Sequence, residues 1–594
     1  MSPAFFPTDD IGESIGAGQQ DNPADPHVWV CWADLKQMVD QLKFQSLRHR
    51  SLHAPLGRFF RWWPLSVLGL LGACCVVSSA VAEEAEATPR FDVWEYQIDG
   101  NTTLDNPIIE RTVYGYLGES KSLADVEQAR LALEKAYHEA GYAAALVSIP
   151  EQDVNEGVVV LRVTEGTVDQ LKVTGSTYFS PNRIKEKVPS LAEGQPLNMP
   201  KAQVELSKLA AENPDRQVTP VMRAGQTPGT MEVELQVKDE LPLHAMVELN
   251  ARNSINTTRL RLPVLLRYDN LWQLNHSASL QYQVSPENPS EVQVWSGTYV
   301  LPIEAIDSRL ALYGIGLDSQ SDVTTAGALN VVGNGNIFGA RLVKPLPSFP
   351  EYLQSVGFGW DYKDFGQSLK PLSDPGAPID NSPVTYSPFQ VNYSGTLLGK
   401  TGRLTQLNTE LNFNFAGMGS NYEQFEKRRP GATPNYLYLA GEVTHREPLP
   451  EDMALQFRAS GQIANSPLIN NEQMGSGGML TVRGYHEVER LGDNGVIGSM
   501  EFWSPDLGAL DMDGLEQLND LRFLAFMDAS ELWLNGPVSP GTPNKFDLWS
   551  TGAGFRMRAF RNFNGEFYWE YPFIATEFVR AGQQRIDFRV AYDF

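Results

Sequence analysis

The chain has 594 residues, a formal net charge of −25 and a hydrophobic share of 42%. That share supports a sizeable core and excludes wholesale disorder. The acidic balance excludes nucleic acid as the main partner, because a phosphate backbone needs a basic surface. With 3 Cys, a disulfide-rich scaffold and a cysteine-ligated metal cluster are also excluded.

The first predicted element is a secretory signal within residues 1–82. An uncharged run over residues 64–82 follows several arginines and ends in the small-x-small pattern Ala80-Val81-Ala82. This order of basic region, apolar region and cleavage pattern is typical of an export signal. An uncleaved membrane anchor and a lipoprotein processed at Cys74 are the alternatives. All three cysteines precede Glu83, so the exported chain would have none.

After a short linker over residues 83–90, residues 91–166 predict a small α/β module. Residues 91–98 alternate like a strand, residues 122–140 carry an apolar stripe at helical spacing, and Gly141 ends that helix. Strands are predicted over 142–149 and 158–163. Residues 167–239 repeat this order, with a helix over 201–212, and a repeat of about 75 residues indicates two copies of one module.

From Leu241 onward the helical signal gives way to alternating segments of about ten residues, which are typical of a barrel wall with a lipid-facing side and a wet interior. No apolar run of 18 residues follows residue 82, so the chain after this residue can span a membrane only as a closed barrel. We predict a mainly β protein with a 16-stranded antiparallel transmembrane β-barrel over residues 240–594. The clearest segments are 243–252, 278–284, 309–317, 355–362, 437–445, 454–461 and 585–594.

The connections between these segments differ in length. Some are short and contain proline, as at Leu301-Pro302, and others are long, as at 364–383 and 464–491. Short turns on one side and long loops on the other are typical of outer-membrane barrels. The chain ends on Phe594, a terminal aromatic residue that matches the assembly signal of such barrels. A large soluble sandwich or propeller is the alternative.

Several motifs resemble the transporter component of two-partner secretion systems of the ShlB/FhaC/HecB type, also called TpsB, within the BamA-type POTRA–barrel superfamily. In the barrel, Val482-Arg483-Gly484-Tyr485 resembles the VRGY loop motif, and Phe526-Met527-Asp528 resembles the F-x-D motif of strand thirteen. Gly495 and Glu501 follow at the spacing of strand twelve. The first module carries Gly100-Asn101-Thr102-Thr103-Leu104, Glu139-Ala140-Gly141-Tyr142, Ile149-Pro150-Glu151-Gln152 and Thr164-Glu165-Gly166.

The resemblance implies that 91–166 and 167–239 are two periplasmic POTRA domains, and that the barrel lies in the bacterial outer membrane. It implies a transporter that recognises an unfolded exoprotein and secretes it to the surface without ATP. A barrel assembly factor and a passive diffusion channel are the alternative functions. Family members usually begin with a plug helix, for which residues 83–90 leave no room, so either that helix is absent or the signal assignment is wrong.

The motifs also define a candidate site. An inward-folded loop in a wet lumen needs an anchor, and one guanidinium can form a bidentate pair with a carboxylate on the wall. We expect Arg483 to pair with Asp528, with Glu501 as a further member. Gly484 would allow a conformation that a Cβ forbids, and Tyr485 would pack against the wall while hydrogen-bonding. This latch either holds a transport-competent state or braces the barrel.

The hypothesis of an enzymatic function has little support in the sequence. Gly399-Lys400-Thr401 lacks the first glycine of a P-loop, and the 8 His show no zinc-binding pair such as H-E-x-x-H. We therefore predict no catalytic residues, no cofactor and no metal. The expected partners are a secreted exoprotein, outer-membrane lipid and the outer-membrane assembly machinery, with substrate capture at an open sheet edge of the second module.

Overall fold

The computed structural model describes residues 89–154, 156–255, 257–319, 323–326, 329–332, 334–366, 383–508, 518–536 and 543–594. The export signal predicted within residues 1–82 lies outside the described residues, as does most of the linker. The described chain forms two compact units, one ending at Glu240 and one spanning Leu241–Phe594. Within the described residues, no helix is long and apolar enough to cross a membrane.

The first unit contains two α/β modules. The first module consists of β1 (Phe91–Val93), β2 (Glu95–Asp99), α1 (Asn106–Val113), β3 (Gly118–Lys121), α2 (Leu123–Glu139), β4 (Leu146–Ser148) and β5 (Val158–Thr164). The second module consists of β6 (Thr167–Thr174), α3 (Pro181–Glu186), α4 (Met199–Glu212), β7 (Arg216–Ala224) and β8 (Thr230–Asp239).

The two modules share one sheet topology. The strand orders are β2-β5-β4 and β6-β8-β7. In each sheet the central strand pairs in parallel with the first strand of the order and antiparallel with the last. Each sheet buries one face under its helices, where Leu133 and Tyr137 fill the first core and Leu209 the second. The repeat predicted from the sequence is therefore visible as a repeated topology.

The first module departs from the predicted element limits in two places. The strand predicted over 91–98 is divided at Trp94, because β1 pairs with β3 whereas β2 pairs with β5. The strand predicted over 142–149 shortens to β4, because Tyr142 to Ala145 form a turn in which the Ala145 N–H donates to the Tyr142 carbonyl at 3.0 Å.

The motifs of the first module meet around one buried carboxylate. Glu165 accepts hydrogen bonds from the backbone N–H groups of Thr102 at 2.6 Å and Thr103 at 2.9 Å, and also from both threonine hydroxyls. The Tyr137 hydroxyl donates to Asn101 Oδ1 at 2.5 Å, and burial raises the pKa of Tyr137 above its usual value. The motifs therefore position the turn after β2 against α2.

The two modules are joined at the end of α2. The Met199 N–H donates to the Gly141 carbonyl at 3.0 Å, and Asn198 Nδ2 donates to the Ala140 carbonyl at 3.1 Å. Gly141 has φ +97°, and a Cβ there would lie 2.7 Å from Cδ of Pro200. Only glycine fits this conformation and this close approach.

The second unit is a closed antiparallel β-barrel. Strand β17 (Tyr352–Phe365) pairs with both β18 (Val384–Tyr386) and β19 (Phe389–Leu398). Strands β18 and β19 therefore share one of the sixteen positions around the wall. Strand β29 closes the ring by pairing with β9, from Arg589 with Asn250 to Asp593 with Met246. The elements are β9 (Leu243–Asn250), β10 (Leu262–Leu271), β11 (His276–Val284), β12 (Val292–Ile303), β13 (Ser308–Ser319), β14 (Val323–Ala326), β15 (Leu329–Val332), β16 (Gly335–Pro345), β17 (Tyr352–Phe365), β18 (Val384–Tyr386), β19 (Phe389–Leu398), β20 (Leu404–Asn414), α5 (Tyr422–Arg428), β21 (Tyr436–Pro448), β22 (Ala454–Ala464), β23 (Met474–Ser476), β24 (Arg490–Gly492), β25 (Asn494–Trp503), β26 (Leu518–Trp533), β27 (Lys545–Ala559), β28 (Phe563–Pro572) and β29 (Arg585–Asp593).

The barrel connections alternate in length as the sequence predicted. The turns over 272–275 and 449–453 are short, whereas the opposite end carries the long connections 415–435 and 465–493. One expected turn was misplaced: Pro302 lies inside β12, where it pairs with Arg309, and the turn follows over 304–307. A proline is tolerated there because it lies next to the last pair of the ladder.

Loop residues fill the outer half of the lumen, where the sequence predicted a wet interior. Inward-facing Val294, Ile315 and Tyr438 pack in one buried cluster with Phe425 of α5 and Ile469 of the connection 465–493. On the same strands, alternate residues such as Trp295 and Leu439 are about half exposed on the outer face. Loop residues therefore fill this part of the barrel with an apolar core.

Candidate functional site

The candidate site is built on the connection 465–493 between β22 and β25, called here the inward loop. Its two arms are held together by the short pairing of β23 with β24, from Met474 with Gly492 to Ser476 with Arg490. Between these arms lie Val482, Arg483, Gly484 and Tyr485, all buried. The loop thus carries its motif on a paired stem, which restricts where the motif can lie.

Arg483 is bound by two strands of the wall. Its Nε donates to Asp528 Oδ2 at 2.7 Å and its Nη2 to Asp528 Oδ1 at 2.8 Å, while its Nη1 donates to Glu501 Oε1 at 2.7 Å. Its backbone N–H also donates to Asp528 Oδ2 at 3.1 Å. Asp528 lies on β26 and Glu501 on β25, so one guanidinium ties the loop to neighbouring strands. We call Arg483, Asp528 and Glu501 the tip latch.

Burial makes the tip latch strong. Arg483 is 4% exposed and Asp528 is fully buried. The guanidinium lies 3.6 Å from the centre of the Phe526 ring, within the range of a cation–π contact. Removing one member of a buried, hydrogen-bonded pair costs about 3–5 kcal/mol, because the remaining charge is left without compensation. Losing any one of these side chains is therefore costly.

Gly484 and Tyr485 attach the tip to the strands that follow β26 in the wall. Gly484 has φ +90°, a conformation that favours glycine, and its N–H donates to Glu570 Oε2 on β28 at 2.6 Å. The Tyr485 hydroxyl lies within 3.0 Å of the carbonyl oxygens of Trp549 and Ile574. Gly484 needs its conformation rather than extra space, since a Cβ there would only reach ordinary contact with Pro572.

The last predicted site residue lies elsewhere. Phe594 is 67% exposed at the end of the chain, where its N–H donates to the Ala245 carbonyl on β9 at 2.8 Å. Its ring lies 4.7 Å from that of Tyr592. The structure therefore brings Arg483, Gly484, Tyr485, Asp528 and Glu501 together at the loop tip and places Phe594 beside the barrel seam.

Sequence reasoning missed a second set of contacts, at the two ends of the inward loop. Near its start, Glu472 accepts hydrogen bonds from Lys363 Nζ at 2.7 Å and from the Tyr386 and Tyr438 hydroxyls at 2.5 and 2.9 Å. Near its end, Asp493 accepts from Arg429 Nη2 at 2.6 Å. We call Lys363, Glu472, Arg429 and Asp493 the end clamp.

The end clamp is as buried as the tip latch. Glu472 is 1% exposed and Asp493 is fully buried. Asp493 also accepts from the backbone N–H groups of Leu468 at 2.9 Å and Asn535 at 2.7 Å, so it joins the inward loop to the following long connection. Its partner Arg429 belongs to the preceding long connection. No sequence signal marks these pairs, because their members lie 64 and 109 residues apart and in no motif.

The chemistry of both sets favours holding over catalysis. Each carboxylate is engaged by a cation, and an ion pair saturated in this way is poorly suited to proton transfer or to ligating a metal. What the arrangement can do is fix a loop across the lumen. The fold and this site together define a class of protein: an outer-membrane barrel of the POTRA–barrel type with an inward-folded loop.

Comparisons with known proteins agree with this class. The sequence profile of the haemolysin secretion/activation protein family ShlB/FhaC/HecB matches residues 229–557, and that of the ShlB-type POTRA domain matches residues 91–166. The chain therefore belongs to the ShlB/FhaC/HecB family. The resemblance inferred from the motifs is confirmed, and the chain is an outer-membrane transporter of the two-partner secretion type.

Curated relatives are distant but extensive. The chain is 23% identical over 468 residues to the outer membrane transporter CdiB of Dickeya dadantii (strain 3937), covering 76% of this chain and 78% of that protein. It is 20% identical over 399 residues to the heme/hemopexin transporter protein HuxB of Haemophilus influenzae, covering 65% and 67%. These names describe the relatives, and both are transporters.

Solved structures share the fold. The structure of CdiB from Escherichia coli matches with a TM-score of 0.57 and 18% identity, covering 95% of this chain and 97% of that one. BamA from Haemophilus ducreyi lacking POTRA domains 1–3 matches with a TM-score of 0.52 and 13% identity, covering 85% and 100%. At these identities the likeness concerns the fold alone, and it confirms the predicted barrel fold.

Proposed function

We propose that this transporter secretes one dedicated, unfolded exoprotein through the barrel without ATP. The family match and the inward loop held across the lumen support this proposal. The driving force is folding of the emerging chain outside the cell, which prevents its return. The protein catalyses no reaction and needs no cofactor or metal. Its remaining partners are outer-membrane lipid and the machinery that inserts barrels.

We assign the regions of the chain accordingly. Residues 1–82 are the N-terminal extension with the export signal, and residues 83–90 are the linker. Residues 91–166 and 167–239 are two periplasmic POTRA domains, and residues 240–594 are the barrel. Phe594 is the barrel assembly signal, and its position at the seam with β9 supports that role.

Cargo capture belongs to the second module. An extended chain can add a strand to an open sheet edge, and β7 is a nine-residue edge strand of that module. The corresponding edge of the first module is three residues long and partly capped. Arg130 Nη1 donates to the Val147 carbonyl at 3.0 Å, and the Val147 N–H donates to Glu134 Oε2 at 3.1 Å. This contrast favours β7 as the docking edge.

The tip latch holds the transport-competent state of the inward loop. The observation that carries this assignment is the guanidinium of Arg483 bound by Asp528 and Glu501 in a fully buried position. A static brace would need only packing, which Tyr485 already supplies. The charged pair adds an orientation-specific attachment that a loop can leave and regain.

The experiment that tests the proposed function compares the secreted and outer-membrane proteins of cells with and without the gene. Loss of one large exported protein, with other barrels unchanged, is the expected result and identifies the cargo. A fall in many outer-membrane barrels would instead establish an assembly factor. Unchanged inventories would refute dedicated secretion and favour a passive channel.

A further inference from the structure

We propose that Glu570, which belongs to none of the sequence motifs, is a positioning residue that sets the orientation of the loop tip. This inference deepens the proposed function of the tip latch. Glu570 lies on β28 and its side chain is fully buried. Its carboxyl Oε2 accepts the Gly484 N–H at 2.6 Å, which is a short hydrogen bond.

Two successive backbone N–H groups of the loop tip point to different strands of the wall. The Arg483 N–H donates to Asp528 on β26, whereas the next N–H, that of Gly484, donates to Glu570 on β28. Strand β27 lies between these two strands. The backbone of the tip therefore bridges two carboxylates across an intervening strand, and losing either one releases one side of the bridge.

Glu570 makes few other contacts through its carboxyl group. The second oxygen of its carboxylate, Oε1, has no hydrogen-bond partner among the described residues. The residue that faces it on β29 is Arg585, which is bound to Asp587 at 2.7 Å and to Asn253 at 2.6 Å. Burying a carboxylate with so few partners is costly, and in the described part of the chain the bond to Gly484 offsets that cost.

The backbone conformation of the loop tip requires a fixed acceptor. Gly484 has φ +90°, so the peptide between Arg483 and Gly484 must be held in a direction that its own chain does not favour for other residues. A carboxylate placed at the N–H fixes that direction. With the peptide fixed, the Arg483 side chain is directed at Asp528. Glu570 thus acts through Arg483 and not on the cargo.

The test uses the full-length transporter in cells, with Val482→Cys as a reporter of the loop tip. Val482 is fully buried, so we expect its thiol to react slowly with a maleimide in the otherwise unchanged protein. Glu570→Ala removes the bond to Gly484, and we expect labelling to rise about tenfold, because the buried N–H loses its acceptor. The protein without Val482→Cys gives the background.

Glu566→Gln is the matched control, because Glu566 lies on the same strand and is bound to Arg589 at 3.2 Å rather than to the loop. A second reporter, Val384→Cys in the buried outer core, detects general loosening. Glu570→Asp keeps the carboxyl group but shortens the side chain, and it replaces Glu570→Ala if that variant fails to show the heat-modifiable mobility of a folded barrel.

Faster labelling at position 482 alone supports the proposal. Labelling at the unchanged rate in a folded Glu570 variant overturns it, and so does equal labelling at position 384, which would mean a purely structural role. The readout does not depend on secretion. If the gene-deletion experiment reveals no cargo, the proposed function fails while the positioning role of Glu570 is still decided by labelling.

Discussion

The tip and the ends of the inward loop are held by the same kind of contact with opposite polarity. At the tip, the loop supplies the cation, Arg483, and the wall supplies the carboxylates. At the ends, the loop supplies the carboxylates Glu472 and Asp493, and the cations come from the wall strand β17 and the preceding long connection. A loop charged in this way cannot bind in a shifted register without placing like charges together.

The surroundings of the two sets also differ. The end clamp is embedded in the apolar outer core, with Leu468 and Ile469 packed beside it. In the tip latch, the guanidinium of Arg483 lies over the aromatic rings of Phe526 and Tyr568. Disrupting the ends therefore opens a hydrophobic seal, whereas disrupting the tip frees a charged anchor. The two sets should control different properties, outer closure and loop position respectively.

The largest effect is expected from breaking the tip latch. Arg483→Ala or Asp528→Ala leaves a buried charge uncompensated at a cost of about 3–5 kcal/mol. We expect cargo in the medium to fall by at least about tenfold, while the protein still reaches the outer membrane. Immunoblots of medium and outer-membrane fractions measure both. Normal secretion by both variants would remove these residues from the mechanism.

A smaller effect on secretion, but a clear effect on closure, is expected from Glu472→Ala. This change leaves Lys363, Tyr386 and Tyr438 without their shared acceptor. We expect channel openings in a planar bilayer to become about tenfold more frequent as the outer core loosens. The control is Glu447→Ala, which removes a carboxylate bound to Arg403 at 2.6 Å on an exposed part of the barrel. Equal opening by both variants would contradict a specific seal.

Exchanging the charges of Lys363 and Glu472 tests whether this ion pair closes the channel as a unit. Lys363→Glu and Glu472→Lys each place like charges together, so either single variant should increase channel opening. The double variant restores opposite charges and should recover part of the closure, with a coupling of about 0.5–3 kcal/mol for neighbours in contact. If the increase in channel opening in the double variant equals the sum of the two single increases, the pair does not act as a unit.

The smallest effect is expected from Tyr485→Phe. The hydroxyl contributes neutral hydrogen bonds to the Trp549 and Ile574 carbonyls, whereas the ring packs with Val482 and Leu548. We expect secretion to fall by only about twofold, since a neutral hydrogen bond contributes about 0.5–1.5 kcal/mol. A loss as large as that of Arg483→Ala would show that the hydrogen bonds of the Tyr485 hydroxyl hold the tip as strongly as the charged pair does.

The fold class was predictable because its signals are local. Alternation along strands such as β29 and turn composition set the barrel, and the helix stop at Gly141 marked the first module. The motifs led to Arg483 and Asp528 through a family resemblance, and the structure places these residues in contact. Their role as a latch stays a prediction.

The remaining contacts depend on long-range packing. Glu570 follows an aromatic run on β28 that resembles any other barrel strand, and nothing in it points to Gly484, 86 residues away. The apolar filling of the outer lumen could not be predicted either, because Val294 and Ile315 fit a strand whether they face inward or outward. Alternation defines two faces of a strand but does not say which loop covers the inner one.

The joint at Gly141 couples the two N-terminal modules through the backbone. Because backbone hydrogen bonds from Met199 and Leu197 end on Gly141 and Gly166, unfolding of one module exposes bonded groups of the other. Local opening of one module at this joint therefore costs hydrogen bonds of both. A pull exerted on the second module by a bound chain is transmitted to the first through these bonds.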